Sequence, residues 1–250
     1  MFNFNQNNNL NNQQAYINPN TGAMAVPRTF ITNVFSWMAA ALAITAFFAY
    51  YFSTNEAFIS SLITVTETGA GMSVLGWIVM LAPLGFVLAM SLGFNKFSAN
   101  VLTLLFIAYS LIMGMSLSFI FLVYTGSSIA LTFGVSAATF GVMAFAGYTT
   151  KLDLSKFGAI MFMGLIGIII ASLVNMFMKS ETMDYIISII GVLVFTGLTA
   201  WDVQKLKRIG AGVEFGTEPA RKLVIMGALT LYLDFINLFL FLLRFLGNKK

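Results

Sequence analysis

Seven runs of apolar residues, separated by short polar segments, dominate the pattern along this 250-residue chain. Each run is close to the ~20 residues that an α-helix needs to cross a ~30 Å hydrocarbon core. The runs do not alternate apolar with polar positions, which favours helices over barrel strands. The pattern predicts an all-α, polytopic membrane protein with seven transmembrane helices, at about residues 29–52, 75–92, 99–123, 129–149, 157–178, 185–205 and 223–245.

The composition supports a membrane protein and excludes several other classes. Hydrophobic residues make up 59% of the chain and charged residues 9%, whereas a soluble domain carries about 25% charged residues. This excludes a soluble enzyme and a disordered chain, and it makes the lipid bilayer, not nucleic acid, the expected partner. The chain has no Cys and no His. A thiol nucleophile, a Cys-ligated metal and a His proton relay are therefore unavailable, and proton sensing would have to use carboxyl groups.

The first 28 residues differ from the rest of the chain. Residues 1–14 are rich in Asn and Gln and lack the basic and apolar regions of a signal peptide. We expect a polar, flexible tail over residues 1–28. Residues 29–250 are expected to form a single membrane domain, since no connection between spans is long enough for a soluble domain.

The basic residues between the spans predict the orientation of the chain. With the N-terminus in the cytoplasm, nine basic residues lie on the cytoplasmic side and four on the other, which favours this orientation. Three of the four exceptions lie at or beyond the C-terminal end of the last span, so either the C-terminus lies outside or the last span re-enters the membrane. The nine are Arg28, Lys96, Lys151, Lys156, Lys205, Lys207, Arg208, Arg221 and Lys222, and the four are Lys179, Arg244, Lys249 and Lys250.

Backbone signals inside the spans concern one proline and several small residues. Pro83 lies in the middle of the second span and cannot donate a backbone hydrogen bond to the carbonyl of Val79. Two interpretations stay open, a static kink and a hinge on which this helix swings. Small residues four positions apart also predict close helix packing, at Gly114/Ser118, Gly134/Ala138, Ala137/Gly141 and Gly167/Ala171.

Two acidic residues inside the spans are the main functional candidates, because a charge costs at least ~2.5 kcal/mol at mid-membrane. Asp202 lies about seven residues, or ~10 Å, from the end of the sixth helix, and Asp234 lies ~16 Å beyond the start of the seventh. The two helices are antiparallel, so the carboxyl groups can meet at similar depth. Thr199, Thr230 and Asn237 fall on the same helical faces and are candidate supporting groups.

The chemistry expected of such a pair is proton sharing and transient binding of a hard cation. Two carboxylates in a low-dielectric site cannot both ionise cheaply, so they would share a proton. When ionised, Asp202 and Asp234 would attract a cation such as Ca²⁺, which prefers carboxylate oxygens. In the alternative interpretation, Asp202 reaches interfacial water and Asp234 hydrogen-bonds to a neighbouring helix. We expect no catalytic residue and no tightly bound cofactor.

Four segments of the sequence resemble the Bax inhibitor-1 (transmembrane Bax inhibitor motif) family. They read TGSSI from residue 125, FGVMAFAGYTTKLDLS from 140, GLIG from 164 followed by SLVN from 172, and FTGLTAWDVQK from 195. The resemblance covers about residues 28–247. It implies a bacterial member of the inner (plasma) membrane, with the last helix central in a ring of six.

The resemblance further implies a pH-sensitive calcium leak, with an aspartate pair on the last two helices as the proton-sensing gate. Those aspartates match Asp202 and Asp234. The second span carries no basic residue and the third no acidic residue, unlike family members that have an arginine and a glutamate there. The resemblance also implies an alternative role, in which the protein binds and modulates a membrane-bound quality-control protease or stress partner.

An intramembrane aspartyl protease is a further alternative, because two acids on neighbouring helices can perform acid–base hydrolysis. In the presenilin-like pattern a Gly-x-Gly precedes the second aspartate. Here Leu231-Tyr-Leu precedes Asp234, so the pattern matches only in part. We therefore expect a protein that is not an enzyme.

Overall fold

The computed structural model of the protein describes residues 22–66, 69–214 and 216–250. Its seven long apolar helices confirm the predicted all-α class and the seven candidate spans. Most of the predicted tail lies outside the described residues, although helix α1 already begins at Gly22. The elements are α1 (Gly22–Ser53), α2 (Glu56–Leu62), β1 (Ile63–Thr66), β2 (Gly69–Met72), α3 (Val74–Gly93), α4 (Ala99–Leu117), α5 (Ile120–Val123), α6 (Gly126–Thr149), α7 (Ser155–Met178), α8 (Glu181–Ala211) and α9 (Glu218–Leu246).

Hydroxyl side chains fix where most of the spans begin. Ser73, Ser98, Thr125, Ser180 and Thr217 each precede a long helix, and each side-chain oxygen accepts a hydrogen bond from the backbone N–H three residues later. Such a cap satisfies one of the N–H groups that the first turn leaves without a partner. Four of these five helices start one to five residues before the apolar runs that predict them, and α4 starts at the predicted residue, Ala99.

The connection between the first two spans has a structure of its own. Helix α2 is followed by the antiparallel hairpin of β1 and β2, in which Ile63 pairs with Met72. The Ser73 backbone N–H donates to the carbonyl of Leu62 at 2.9 Å, which ties the end of the hairpin to α2. The sequence pattern indicated only a long connection here. In the third span the helix is also interrupted, between α4 and α5.

The core of the bundle is formed by α8 and α9, each of which buries more than half of its most apolar stretch, a larger share than any other span. Helix α9 packs against α1, α4, α6 and α8, whereas α3 packs mainly on α4 and α7 packs on α8. Among the described residues of α9 from 224 to 240, one side is only half-buried, at Met226, Thr230, Leu233, Asn237 and Leu240. Helix α9 thus packs against four other spans, while its predicted central place in a ring of six stays a prediction.

Glycines mark the closest helix contacts, but at other positions than the sequence indicated. Gly114 lies against the α1 backbone, as predicted. The prediction of close packing was wrong for Gly134, Gly141 and Gly167, since a Cβ at each of them would meet nothing within 4 Å. A Cβ at Gly147, which belongs to none of the predicted pairs, would collide with the backbone of α8 at Ala200. Spacing alone does not reveal which face of a helix meets a neighbour.

The C-terminal residues lie at the end of the bundle opposite the loop that joins α8 to α9. Arg244 forms an ion pair of 3.1 Å with Asp184, which lies in the first turn of α8. Beyond α9, the Asn248 backbone N–H donates to the Ser128 hydroxyl at 2.9 Å. Helix α9 is continuous, so the last span does not re-enter. The charges left two alternatives open, a last span that crosses the membrane and one that re-enters. The structure agrees with the first, because the C-terminus lies at the end of the bundle opposite the start of α9.

Candidate functional site

Asp202 and Asp234 meet in the structure as the sequence predicts. Asp202 is 6% exposed and Asp234 is 5% exposed, and their carboxyl groups interact directly, side chain to side chain. The two side chains line one cavity of about 470 Å³ between α7, α8 and α9. Neither of them forms an ion pair within 4.0 Å in the described part of the chain. The interpretation in which the two acids act separately does not agree with this geometry.

The hydrogen bonding of the pair is incomplete. The Oδ2 atom of Asp234 is buried and has no hydrogen-bond partner among the described residues. Thr230 and Asn237 line the same cavity, but the Thr230 hydroxyl donates to Met226 at 3.0 Å and the Asn237 amide donates to Leu233 at 2.8 Å. Both side chains therefore donate to backbone carbonyls of their own helix and not to the carboxyl groups, which stay available to a proton or a cation.

The remaining predicted site residues lie elsewhere. Thr199 is buried, and its hydroxyl donates to the carbonyl of Phe195 at 2.8 Å, but its side chain is not among those that line the cavity. Pro83 is buried inside the unbroken helix α3, also away from the cavity. Its roles as kink or hinge stay predictions.

Lys205 is a site residue that the sequence reasoning assigned only to the cytoplasmic end of its span. Its exposed side chain lines the cavity and acts electrostatically on Asp202. The Nζ atom lies 5.1 Å from the centre of the Trp201 ring. Lys205 is exposed, so no basic residue shares the buried interior with the pair, although one lies at the edge of its cavity. The signal was available in the sequence, since Lys205 follows Asp202 by three residues and so lies on the same face of the helix.

A polar network attaches the loop between α6 and α7 to the end of α8, close to the site. The Gln204 amide donates to the carbonyl of Leu152 at 2.7 Å and its oxygen accepts from the Leu154 N–H at 2.9 Å. Arg208 pairs with Asp153, whose pKa lies well below its ordinary value because of the hydrogen bond from the guanidinium. Asp153 also accepts from the N–H of Ser155, the first residue of α7, at 3.0 Å.

A second buried polar group was missed by the sequence reasoning. The Thr45 hydroxyl of α1 donates to the carbonyl of Ser110 in α4 at 2.8 Å and lies 2.7 Å from the hydroxyl of Tyr232 in α9. The Tyr109 hydroxyl nearby is buried without a hydrogen-bond partner in the described part of the chain. A single hydroxyl residue inside an apolar run does not indicate which helix its side chain will contact. Only the packing of the helices reveals this hydrogen-bonded group.

The described residues assemble no group of three or more acidic side chains that could hold a metal ion. Asp202 and Asp234 together offer at most four carboxylate oxygens, whereas Ca²⁺ takes six to eight oxygen ligands. The pair on its own is therefore suited to brief contact with a cation rather than to a resident metal site.

Comparison with known proteins identifies the family of this chain. The model of the family described as "Inhibitor of apoptosis-promoting Bax1" matches residues 27–250. The chain belongs to this family. It is 47% identical over 237 residues to the inner membrane protein YbhL of Escherichia coli, which covers 93% of this chain and 98% of that protein. A protein of Borreliella burgdorferi is 45% identical over 225 residues, covering 90% and 94% of the two chains.

Membership of the Bax inhibitor-1 family confirms the resemblance, and with the seven spans it makes the chain a multi-pass membrane protein. Two of the segments that carry the resemblance pack against each other. Segment 140–155 contains Gly147 and Leu154, and segment 195–205 contains their neighbours Ala200 and Gln204. The second segment also contains Asp202, so the resemblance is concentrated around the candidate site.

Proposed function

We propose that this protein is a cation leak of the bacterial inner membrane, with Ca²⁺ as the permeant ion and the Asp202–Asp234 pair as its proton-sensitive gate. The observation that carries the proposal is the direct interaction of two buried carboxyl groups from consecutive antiparallel helices. The inner-membrane location follows the relative YbhL. The cytoplasmic N-terminus follows the asymmetry of the basic residues.

The gate would operate through the charge of the pair. With one shared proton, the two carboxyl groups hold α8 and α9 together. When that proton is lost, two negative charges meet in a low-dielectric site, where their repulsion is only weakly screened. Lys205 acts electrostatically on Asp202, but the buried Oδ2 of Asp234 has no protein partner among the described residues, so a cation would compensate the charge that Asp234 gains. Proton loss would therefore loosen the contact between the helices and admit a cation.

The hinge role of Pro83 belongs to the same proposal. Helix α3 packs mainly on α4 and is among the least buried of the spans, which leaves it free to swing without disrupting the α8–α9 core. Pro83 would weaken the helix at the point of bending. Since Pro83 does not line the cavity, its motion would act through α4 rather than on the aspartates.

A flux assay tests the gate. Purified protein in liposomes is expected to release Ca²⁺ at a rate that depends on pH, and Asp202→Asn and Asp234→Asn are expected to abolish that dependence. Glu56→Gln is the matched control, because it removes one negative charge, as the aspartate variants do, but at an exposed position in helix α2. Equal pH dependence in the wild type and both aspartate variants would exclude this mechanism.

The role as a partner of a membrane protease or stress protein remains the second prediction, based on the resemblance alone. The Asn-rich tail is the segment that could bind such a partner, and it lies outside the described residues. Deletion of residues 2–20 followed by pull-down from membranes tests it, and an unchanged set of partners would leave the tail without this role. We also propose that the protein is not an enzyme, since the segment before Asp234 lacks the glycines of an intramembrane protease.

A further inference from the structure

The cavity of the aspartate pair opens sideways from the helix bundle, along the half-buried side of α9. Three residues of that side line it, Thr230, Leu233 and Asn237. On the other side of the opening, Phe162 and Ile169 of α7 are each 52% exposed. Helix α7 packs closely on α8, so α8 forms the floor of a groove between α7 and α9. At this depth in a membrane-spanning helix, such an opening meets the bilayer.

The lining of this groove is suited to an acyl chain. Apart from the polar residues around the aspartate pair, its walls are apolar side chains of all three helices, with Leu165 on α7 and Leu198 on α8. Phe195 and Leu198 on the floor are buried. An acyl chain in the groove would cover these side chains and fill a space that the helices do not close.

The mouth of the groove carries a cation that no carboxylate or other acceptor among the described residues binds directly. Lys205 forms no hydrogen bond or ion pair with any residue that the structure describes, and it lies over Trp201. Its basic neighbours are already engaged, Lys207 with the carbonyl of Tyr148 at 2.8 Å and Arg208 with Asp153. A Trp and a Lys near the end of a span are typical of the membrane interface, where headgroup phosphates lie.

We propose that this groove is a binding site for one anionic phospholipid, with the phosphate on Lys205 and an acyl chain between α7 and α9. The side chain that recognises the headgroup and the apolar groove that holds the tail are adjacent, which is the arrangement of an amphipathic ligand. The bound lipid would cover the aspartate pair from the side of the bilayer. The site goes beyond the proposed leak and does not depend on it, since lipid binding can be measured without ion flux.

Trp201 reports on the site directly, because it is one of only three tryptophans in the chain. The background protein carries Trp37→Phe and Trp77→Phe, so that Trp201 is its one tryptophan. It is placed in phosphatidylcholine vesicles of two kinds, which contain either brominated phosphatidylglycerol or brominated phosphatidylcholine. Bromine quenches a tryptophan that it contacts. We expect brominated phosphatidylglycerol to quench Trp201 with an apparent affinity about fivefold higher, the ratio that corresponds to one Lys near an anionic surface.

Lys205→Gln is expected to remove this preference, and Lys205→Arg to restore it. Lys156→Gln is the matched control, because Lys156 is exposed in the first turn of α7 and does not line the groove. Emission of Trp201 in unbrominated vesicles shows whether each variant is folded. Equal quenching by the two lipids in the background protein, or a preference that survives Lys205→Gln, would overturn the proposal. An equal loss in Lys156→Gln would also overturn it, in favour of a general surface charge.

Discussion

The acidic residues of this protein differ mainly in what surrounds each carboxyl group. Asp153 and Asp184 lie at the ends of the bundle, each paired with an arginine. Asp202 and Asp234 are buried, and the carboxyl group of each interacts with that of the other. Removing one member of an exposed ion pair changes stability little, whereas neutralising one of two neighbouring buried acids removes the cost of burying its charge and any repulsion between the two. The two kinds of acid should therefore respond differently to the same substitution.

Asp234→Asn is expected to leave the stability of the folded protein unchanged or to raise it, because Asn keeps the shape of the side chain and removes a buried acid. Thermal unfolding in detergent micelles measures this. Tyr232→Phe, two residues away, is the comparison, since it removes the contact with Thr45 and should cost about 1 kcal/mol, the net value of one hydrogen bond. A large loss of stability in Asp234→Asn would mean that the acid is structural.

The ion pair between Asp153 and Arg208 should help to order the loop between α6 and α7 at neutral pH, and this contribution should be lost in acid. The pKa of Asp153 is held below its ordinary value by the Arg208 guanidinium, so the folded state binds the proton more weakly than the unfolded chain does. The stabilisation is complete above the ordinary carboxyl pKa of about 3.9 and is lost as the pH falls below it. Because both side chains are largely exposed, the effect is small.

Hydrogen exchange at the Ser155 amide, which donates to Asp153, measures this order. The expected result is weaker protection below about pH 4 in the wild type, and in Asp153→Asn a protection that does not change over that range. The same acid dependence in both proteins would show that another group controls the loop.

At the level of whole elements, the contact of α6 with α8 depends on a backbone approach that only glycine permits. Gly147 lies against the backbone of Ala200, and Gly141, less than two turns away on the same helix, faces open space. The two positions are alike in sequence, since each is a glycine within the same apolar run. Their different surroundings provide a controlled test of how α6 packs.

Gly147→Ala is expected to destabilise the protein by about 1–3 kcal/mol, the usual cost of overpacking. Gly141→Ala should be neutral or stabilising by up to about 1 kcal/mol, because alanine is the better helix former. Thermal unfolding of the two variants under the same conditions gives the comparison. Equal effects at the two positions would contradict the packing of α6 on α8.

At the scale of the whole molecule, an odd number of spans places the start of α1 and the end of α9 at opposite ends of the bundle. The contact between Phe30 and Gly210 puts the start of α1 beside the end of α8. The pair Arg244–Asp184 puts the end of α9 beside the start of α8. The charged residues then divide into a strongly basic end near Arg208 and an end where acidic and basic residues balance.

Single cysteines test the orientation cleanly, because the chain has none of its own. In intact spheroplasts, a membrane-impermeant maleimide is expected to label Lys249→Cys and to label Lys156→Cys only after the membrane is permeabilised. Both residues are exposed. Labelling of the two positions from the same side would contradict the fold, and the reverse pattern would contradict only the orientation predicted from the charges.

The amino-acid sequence by itself determined the class, the seven spans and the two central acids of this protein. Those features depend on local physics, because a helix that crosses a bilayer must satisfy its own backbone hydrogen bonds and must be apolar over a fixed length. A buried acid in such a helix is visible because it breaks the pattern. Asp202 and Asp234 could be placed at similar depth from the helical rise alone.

Tertiary structure alone decided which faces of the helices meet. It selected Gly147 over Gly134 and Gly141 for close packing, linked Thr45 to Tyr232 across 187 positions of the chain, and left one side of α9 half-buried beside the aspartate pair. In spans that are apolar all round, the sequence does not reveal which face of a helix meets protein and which meets lipid, because both neighbours favour similar side chains. The rotation of each helix is therefore fixed only when the whole bundle packs.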